Sequence, residues 1–364
     1  MRPRLHHLRL PLVGLLVGAA ALAGCTKVED ASSTTAPTGG GDGPADTGFP
    51  LDGVENADFT GVTLRVGDQA NIAKTLLETS GQLSDVPYQI EWATFASGPP
   101  LLEAMNADEV DIGGVGNVPP IFAQAAGQEI AIVGASTASA PGSYNEAIVA
   151  PAGSDLDSVD DLRGKKVAFA QGSSSHYLVL AALDSAGLTL DDIEVVNLTP
   201  VDGLAALGSG DLDAWAIWDP FLSLAVSQGA ETVVTSEGLT DGFNFQVARA
   251  AALEDPATEA AIADYLTRLS AAAQWAIEHN DEWAATYQSI TGLPLEVVQS
   301  NLSRFKPAYV PIDEELIAKQ QKVADAFSEA GVIPGEIDVA QVFDTRYAAL
   351  AAAGPGSTTT TVAP

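Results

Sequence analysis

Apolar and polar positions along this chain fall into short apolar runs that alternate with stretches of helical period, beginning at Val62. Residues 62–67 (VTLRVG) predict a strand and 72–79 the helix after it. A strand over 88–94, a helix over 100–106, a strand over 110–115, a helix over 119–126 and a strand over 130–134 continue the alternation. Pro119 opens its helix where a missing N–H costs nothing. The run 146–150 (EAIVA) predicts a strand that stops at Pro151, and the pattern restarts with a strand over 167–170, a helix from the serines that follow, and a strand over 193–198. A helix over 201–207, a strand within 210–218, a helix over 221–227 and strands over 232–234 and 243–250 come next. From Thr258 the chain reads as mostly helical, over 259–279, 281–289, 295–302 and 313–330. Strands separated by helices imply right-handed βαβ units and mainly parallel sheets. The restart after Pro151 predicts two α/β lobes joined by extended crossovers at 146–151 and 243–250. A cleft between them would face the carboxyl ends of the strands.

One stretch carries candidate chemistry. In KKVAFAQGSSSHYLVLAAL (165–183), an apolar strand runs into Gly172 and three serines, and a helix with an apolar face follows. A strand, a small-residue loop and a helix start present free backbone N–H groups and a positive dipole end, which seat an anion. An ordinary βα loop with a serine cap fits the same residues.

Composition changes the picture at both ends. Arg2, Arg4 and Arg9 precede an apolar run from Leu10 to Ala23, the layout of a signal peptide over residues 1–24. Leu22-Ala23-Gly24-Cys25 closes it and resembles the lipobox of bacterial lipoproteins, which implies lipidation of Cys25 and a membrane anchor. Cys25 is the sole cysteine, so the mature chain can form neither a disulfide nor a cysteine metal or redox site. Residues 25–57 are rich in Thr, Ser, Gly, Pro and Asp and predict a flexible tether; 354–364 predict a disordered tail. A formal charge of −32 leaves no basic surface for nucleic acid. Two of the four histidines, His6 and His7, lie in the leader, which leaves His176 and His279 and makes a histidine metal site unexpected.

Three long segments resemble the substrate-binding proteins of ABC importers for aliphatic sulfonates. Residues 116–127 (GNVPPIFAQAAG) are similar to that family's GDxPPIFAQAAG signature. Lys166-Val167-Ala168-Phe169 with Gly172-Ser173-Ser174-Ser175-His176 resembles its KVAFQKGSSSH segment, and residues 213–221 (DAWAIWDPF) its DAWAIWDPY segment. Residues 98–104 and 160–165 match as well, so the resemblance spans about Leu64 to Arg346. It implies a two-lobed type II periplasmic-binding-protein fold of class α/β, each lobe a mainly parallel sheet flanked by helices. The first lobe would comprise 58–148 and 249–353, with the C-terminal helices on it, and the second 149–248. It further implies a monomeric extracytoplasmic receptor, lipid-anchored at Cys25 on the outer face of the cytoplasmic membrane, or in the periplasm if the host is Gram-negative. Such a receptor closes over a sulfonate or taurine and hands it to a membrane permease, with no cofactor and no catalysis. Receptors for nitrate or for a thiamine-pyrimidine precursor share the fold and stay open as alternatives. An enzyme is disfavoured because Ser175 and His176 are sequence neighbours, a poor nucleophile–base arrangement, and no orienting carboxylate is evident.

A sulfonate is permanently ionised, so its receptor needs donors, not acid–base groups. The candidate donors are Ser173, Ser174, Ser175 and the 172–176 amides on one lobe. Gly116, Asn117 and Val118 at the start of the Pro119 helix, with Gln69 and the Gly98 amide, supply the other. Asn117 stands where the family has Asp, which predicts an altered ligand preference, and Asp68 where it often has Tyr. Gln69 reads equally as a surface loop residue. Trp215 and Trp218 are candidates for the organic part of the pocket or for core. Asp219 is either a helix cap or a contact for a ligand amine. His176 reads as a neutral packing residue sooner than as a catalyst, because a helix N-terminus opposes its protonation.

Overall fold

The computed structural model describes residue 54 and residues 56–138 and 143–351. The expected leader 1–24, nearly all of the expected tether 25–57 including Cys25, and the expected tail 354–364 lie outside the described residues.

Local sequence accounts for most element ends. The chain runs β1 (Thr63–Gln69), α1 (Ile72–Thr79), β2 (Gln89–Phe95), α2 (Gly98–Asn106), β3 (Ile112–Gly116), α3 (Pro119–Ala125) and β4 (Ile130–Ala138). It continues β5 (Glu146–Ala150), β6 (Lys166–Phe169), α4 (Ser174–Ser185), β7 (Glu194–Asn197), α5 (Pro200–Ser209), β8 (Ala214–Trp218), α6 (Phe221–Ser227), β9 (Glu231–Thr235) and β10 (Asn244–Arg249). Last come α7 (Pro256–Glu278), α8 (Asn280–Thr291), α9 (Leu295–Arg304), β11 (Pro307–Val310) and α10 (Glu314–Glu329). Thr199 caps α5 by accepting the Asp202 N–H ahead of Pro200, and Gly210, at φ 79°, ends that helix. Asp255 caps α7 in the same way, accepting from the Thr258 N–H before Pro256.

The strands form two sheets. The six-stranded one has the order β11-β4-β10-β3-β1-β2, and the five-stranded one β7-β6-β8-β5-β9. Pairings among β1, β2 and β3 and among β6, β7 and β8 are parallel. β10 runs antiparallel between β3 and β4, and β5 antiparallel between β8 and β9. Both sheets are therefore mixed: β10 in the larger and β5 in the smaller each run against both neighbours. The segments expected as crossover strands, 146–151 and 243–250, are β5 and β10, and each lies inside a sheet, between two neighbours. Every residue of β5 is buried, which a solvated connector would not allow. Sheet membership moves the lobe change from the expected boundaries after 148 and 248 to points ahead of Glu146 and ahead of Asn244.

Two further differences bear on the site. β4 runs on from Gly134 to Ala138, and β11, unforeseen, pairs antiparallel with that extension. A four-residue edge strand opening with Pro307 carries too little pattern to be read from sequence.

Leu64, Val66 and Ile112 pack against Ile262, Tyr265 and Leu266 of α7 on one face of the larger sheet. Leu101, Met105, Val115 and Phe245 fill its other face. The smaller sheet is covered by α4 on one side and by the cluster around Trp215 on the other. A further cluster belongs to neither sheet alone: Val118 and Ile121 at α3, Leu180 on α4 and Val323, Ala324 and Phe327 on α10. The C-terminal helices thus reach past the first lobe, α10 against α4 and α9 against α6. Asp111, buried just ahead of β3, joins Arg65 of β1 at 2.6 Å and Arg249 of β10 at 3.0 Å, which ties three strands of the larger sheet together.

Candidate functional site

The carboxyl ends of β1 and β3 and the start of β10 open onto a cleft whose opposite wall is the start of β5, the end of β8 and the start of α4. Its volume is about 340 Å³, which suits a small organic molecule. Residues of α7, α8 and α9 close one side with an apolar wall that includes Trp283 and Leu302.

Glycine sets the distances. Gly172 turns the chain from β6 into α4 at φ 76°, a conformation that side chains rarely adopt. A Cβ on Gly98, the first residue of α2, would come within 2.6 Å of the Pro119 ring, so only glycine lets the starts of α2 and α3 lie together. A Cβ on Gly116 would stand 3.2 Å from Ser174 Oγ, so the two walls touch here, across the cleft.

Of the serines, Ser173 and Ser174 line the cleft. Ser173 Oγ donates to the Ala170 carbonyl at 2.7 Å, which leaves its lone pairs and not its proton toward the cleft. Ser174 and Ser175 open α4, so their N–H groups have no acceptor one turn earlier. The Ser175 side chain is outside the lining, fully buried, with its hydroxyl unpartnered. Gly172 is outside as well, and its amide donates to His176 Nδ1 at 3.3 Å.

His176 is core. Its ring stacks on Phe169 at 4.5 Å and meets Phe327 edge-on at 4.9 Å, and burial pushes it down to about 4, so it is neutral at ordinary pH. Asn117 and Val118 are buried away from the cleft, and the Asn117 carbonyl accepts from Gln320 Nε2 at 2.6 Å. Asn117 is thus a buried residue outside the cleft lining, and the ligand preference expected from the exchange of Asp for Asn has no direct contact in the cleft to act through. Trp215 is also core: its indole packs so closely on Gly203 that a Cβ there would lie 2.4 Å from Nε1.

Gln69, Gly98, Gly116, Trp218 and Asp219 do line the cleft. Gln69 Nε2 donates to the Gly114 carbonyl at 2.8 Å. Asp219 Oδ1 accepts from the backbone N–H and the hydroxyl of Ser223, and Oδ2 pairs with Arg304 Nη2 at 2.8 Å. Both oxygens are engaged, and of the two readings open for Asp219 these contacts match the cap. Asp68 lines the cleft with its carboxylate turned to α1, where it accepts the Ala73 and Lys74 N–H groups; burial raises its pKa and those N–H groups oppose the rise.

Several lining residues escaped the sequence. Gln246 of β10 donates from Nε2 to the Tyr309 hydroxyl at 3.2 Å while its Oε1 is buried without a partner. Rotating that amide by half a turn lets Tyr309 donate to Oε1 and frees the NH₂ for a ligand oxygen. Glu146, the first residue of β5, is buried with the Ser174 hydroxyl as its side-chain partner, and burial pushes it up to about 7. The one legible signal for it was a charge at the head of an otherwise apolar run. Among the described residues, no group of three or more His, Cys, Asp or Glu is placed to hold a metal ion.

A family model described as "ABC transporter, phosphonate, periplasmic substrate-binding protein" matches residues 78–292. The crystal structure of the periplasmic aliphatic sulphonate binding protein SsuA from Escherichia coli is 36% identical, covering 77% of this chain and 96% of that one, with a TM-score of 0.68. The alkanesulfonate-binding protein SsuA from Xanthomonas axonopodis pv. citri, bound to MOPS, is 33% identical over 78% of this chain and 98% of that one, with a TM-score of 0.71. With two sheets facing one cleft and likeness over most of both chains, this chain belongs to the family of periplasmic substrate-binding proteins of ABC transporters.

Proposed function

We propose that this protein is the receptor of an ABC importer and captures a small aliphatic sulfonate in the cleft between its sheets for delivery to a membrane permease. The carrying observation is that two helix starts, α2 at Gly98 and α4 at Ser173–Ser174, open onto one cleft of about 340 Å³ from opposite walls. Each helix end contributes about 0.3–1 kcal/mol to holding an anion, and up to ~2 where partly buried. With net hydrogen bonds of about 0.5–1.5 kcal/mol each, a handful of donors reaches the roughly −8 kcal/mol of micromolar binding. No arginine is needed. The organic end would lie against Trp218 and the apolar wall of α7–α9, a surface for which nitrate has no use. The names of the two SsuA proteins, and the MOPS bound to one of them, support the same ligand class. The strongly negative chain repels anions at long range, so affinity rests on these local donors. Lipid on Cys25 would hold the receptor at the outer face of the cytoplasmic membrane.

A thermal-shift series on the mature chain tests this reading. Ethanesulfonate, butanesulfonate and MOPS should raise the melting temperature, by the equivalent of about 2.7 kcal/mol at a hundred times Kd, while nitrate and a pyrimidine should not. Ser174→Ala should weaken sulfonate binding and Ser175→Ala should leave Kd unchanged. Stabilisation by the pyrimidine alone would reject the anion site. Replacing Cys25 with Ser should release the protein from membranes into the soluble fraction.

A further inference from the structure

Glu146 is the acidic group of the cleft that, among the described residues, no cation or backbone N–H is shown to hold. Asp68 is held by backbone N–H groups of α1, and Asp219 by Arg304 and Ser223. Glu146 is 6% exposed, and no ion pair involves it among the described residues. Its side-chain partner is the hydroxyl of Ser174, which favours the charged form but is outweighed by burial; Ser174 opens α4 and lies against Gly116 on the opposite wall. A carboxylate and a sulfonate drawn to the same helix start would repel each other.

We propose that Glu146 acts as a neutral carboxylic acid whose O–H, beside Ser174, joins the donors of the anion seat, so that binding a fully ionised sulfonate is coupled to proton uptake. This rests on the sulfonate reading of the same cleft. The acid donates one hydrogen bond to a sulfonate oxygen, the proton stays on the carboxyl, and no covalent bond forms or breaks. Burial, which holds the carboxyl up at about 7, keeps a substantial share of it protonated near neutrality.

The titratable neighbours leave this proton with Glu146. On α4, His176 is neutral and buried against Phe169 and Phe327, and Tyr177 and Asp184 follow it along the helix. At the end of β8, Asp219 is paired with Arg304, and α6 carries no titratable side chain. β9 and the loop after it carry Glu231, which accepts the Gly153 N–H, and the exposed Glu237. Across the cleft stand Asp68, Lys306 and the phenols of Tyr287 and Tyr309, both held protonated by burial.

Calorimetric titration of the mature chain with ethanesulfonate between pH 6 and pH 8.5, in buffers of different ionisation enthalpy, tests the coupling. Kd should rise with pH, approaching roughly tenfold per unit once the carboxyl has ionised, and the binding enthalpy should report proton uptake. Glu146→Gln should bind with a Kd that does not change over this range. A wild-type Kd that is flat with pH, with no proton taken up, overturns the coupling. A Kd that tightens with pH also overturns it, by making Glu146 a carboxylate that seats a cationic group. Loss of ethanesulfonate binding by both proteins at every pH overturns the sulfonate reading itself, and the coupling with it.

Discussion

His176 shows how a residue inside a binding motif can serve the core. Its ring lies between Phe169 and Phe327, its Nδ1 accepts the Gly172 N–H, and it stays neutral because burial disfavours the cation. Its proton affinity falls from the ordinary 6.5 to about 4 on folding, so the unfolded chain binds more protons between those values. The stability this ring contributes is therefore complete above about pH 6.5 and is lost as the pH falls toward 4, in total about 3 kcal/mol. Glu146, raised from 4.5 to about 7, has the opposite slope and favours the folded state as the pH drops through 7. Urea unfolding of the wild type and of His176→Phe at pH 7.5 and pH 4.5 separates them. The wild type should lose more stability than the variant on acidification; equal losses would show that the ring does not titrate on unfolding.

At the scale of elements, the contact between α9 and the end of β8 joins the C-terminal helices to the second lobe. Arg304 reaches from α9 to Asp219 at 2.8 Å and to Ser223 of α6 at 2.7 Å, and its guanidinium lies 5.1 Å from the Tyr144 ring. The Asp219 side chain is 4% exposed and that of Arg304 20%, so removing the arginine leaves a buried carboxylate without its counter-charge. Arg304→Met should cost about 2–4 kcal/mol in urea unfolding, and adding Asp219→Asn should recover most of that loss. A single-variant cost below about 0.5 kcal/mol, the size of an exposed pair, would show that the contact does not hold the elements together. This pair was out of reach of the sequence. The spacing of residues 295–302 gave the helix, but nothing in it pointed Arg304 at a residue 85 positions earlier.

The described molecule has a cleft between the sheets that sets polar helix starts against an apolar wall and, elsewhere, an apolar seam in which α3, α4 and α10 meet. Phe327 is fully buried there, packed edge-on against Phe122 at 5.2 Å and against His176. Because the seam draws on helices from both lobes, its packing sets how the walls of the cleft face each other. Phe327→Ala should cost about 3–5 kcal/mol of stability and weaken sulfonate binding, although Phe327 is not part of the cleft lining. Unchanged affinity in a variant that still folds would show that the seam stabilises without shaping the site.

The sequence by itself determined the kind and order of the elements. Apolar period, proline at helix starts and glycine at turns are local properties, and α1, β5 and α6 begin and end where their pattern does. It also determined that a Gly-Ser turn would lead directly into a helix start, because Gly172 and the serines define that turn within a few residues. Tertiary structure alone decided which serines line the cleft, since Ser173 and Ser174 do, Ser174 opposite Gly116, and Ser175 is turned into the core. It alone made Asn117, Trp215 and His176 packing residues, and brought Gln246 and Glu146 to the cleft. The physical reason is that burial and proton affinity depend on neighbours far apart along the chain. A strand that opens with a charge becomes a candidate proton-linked donor only when the helix start of another element closes over it.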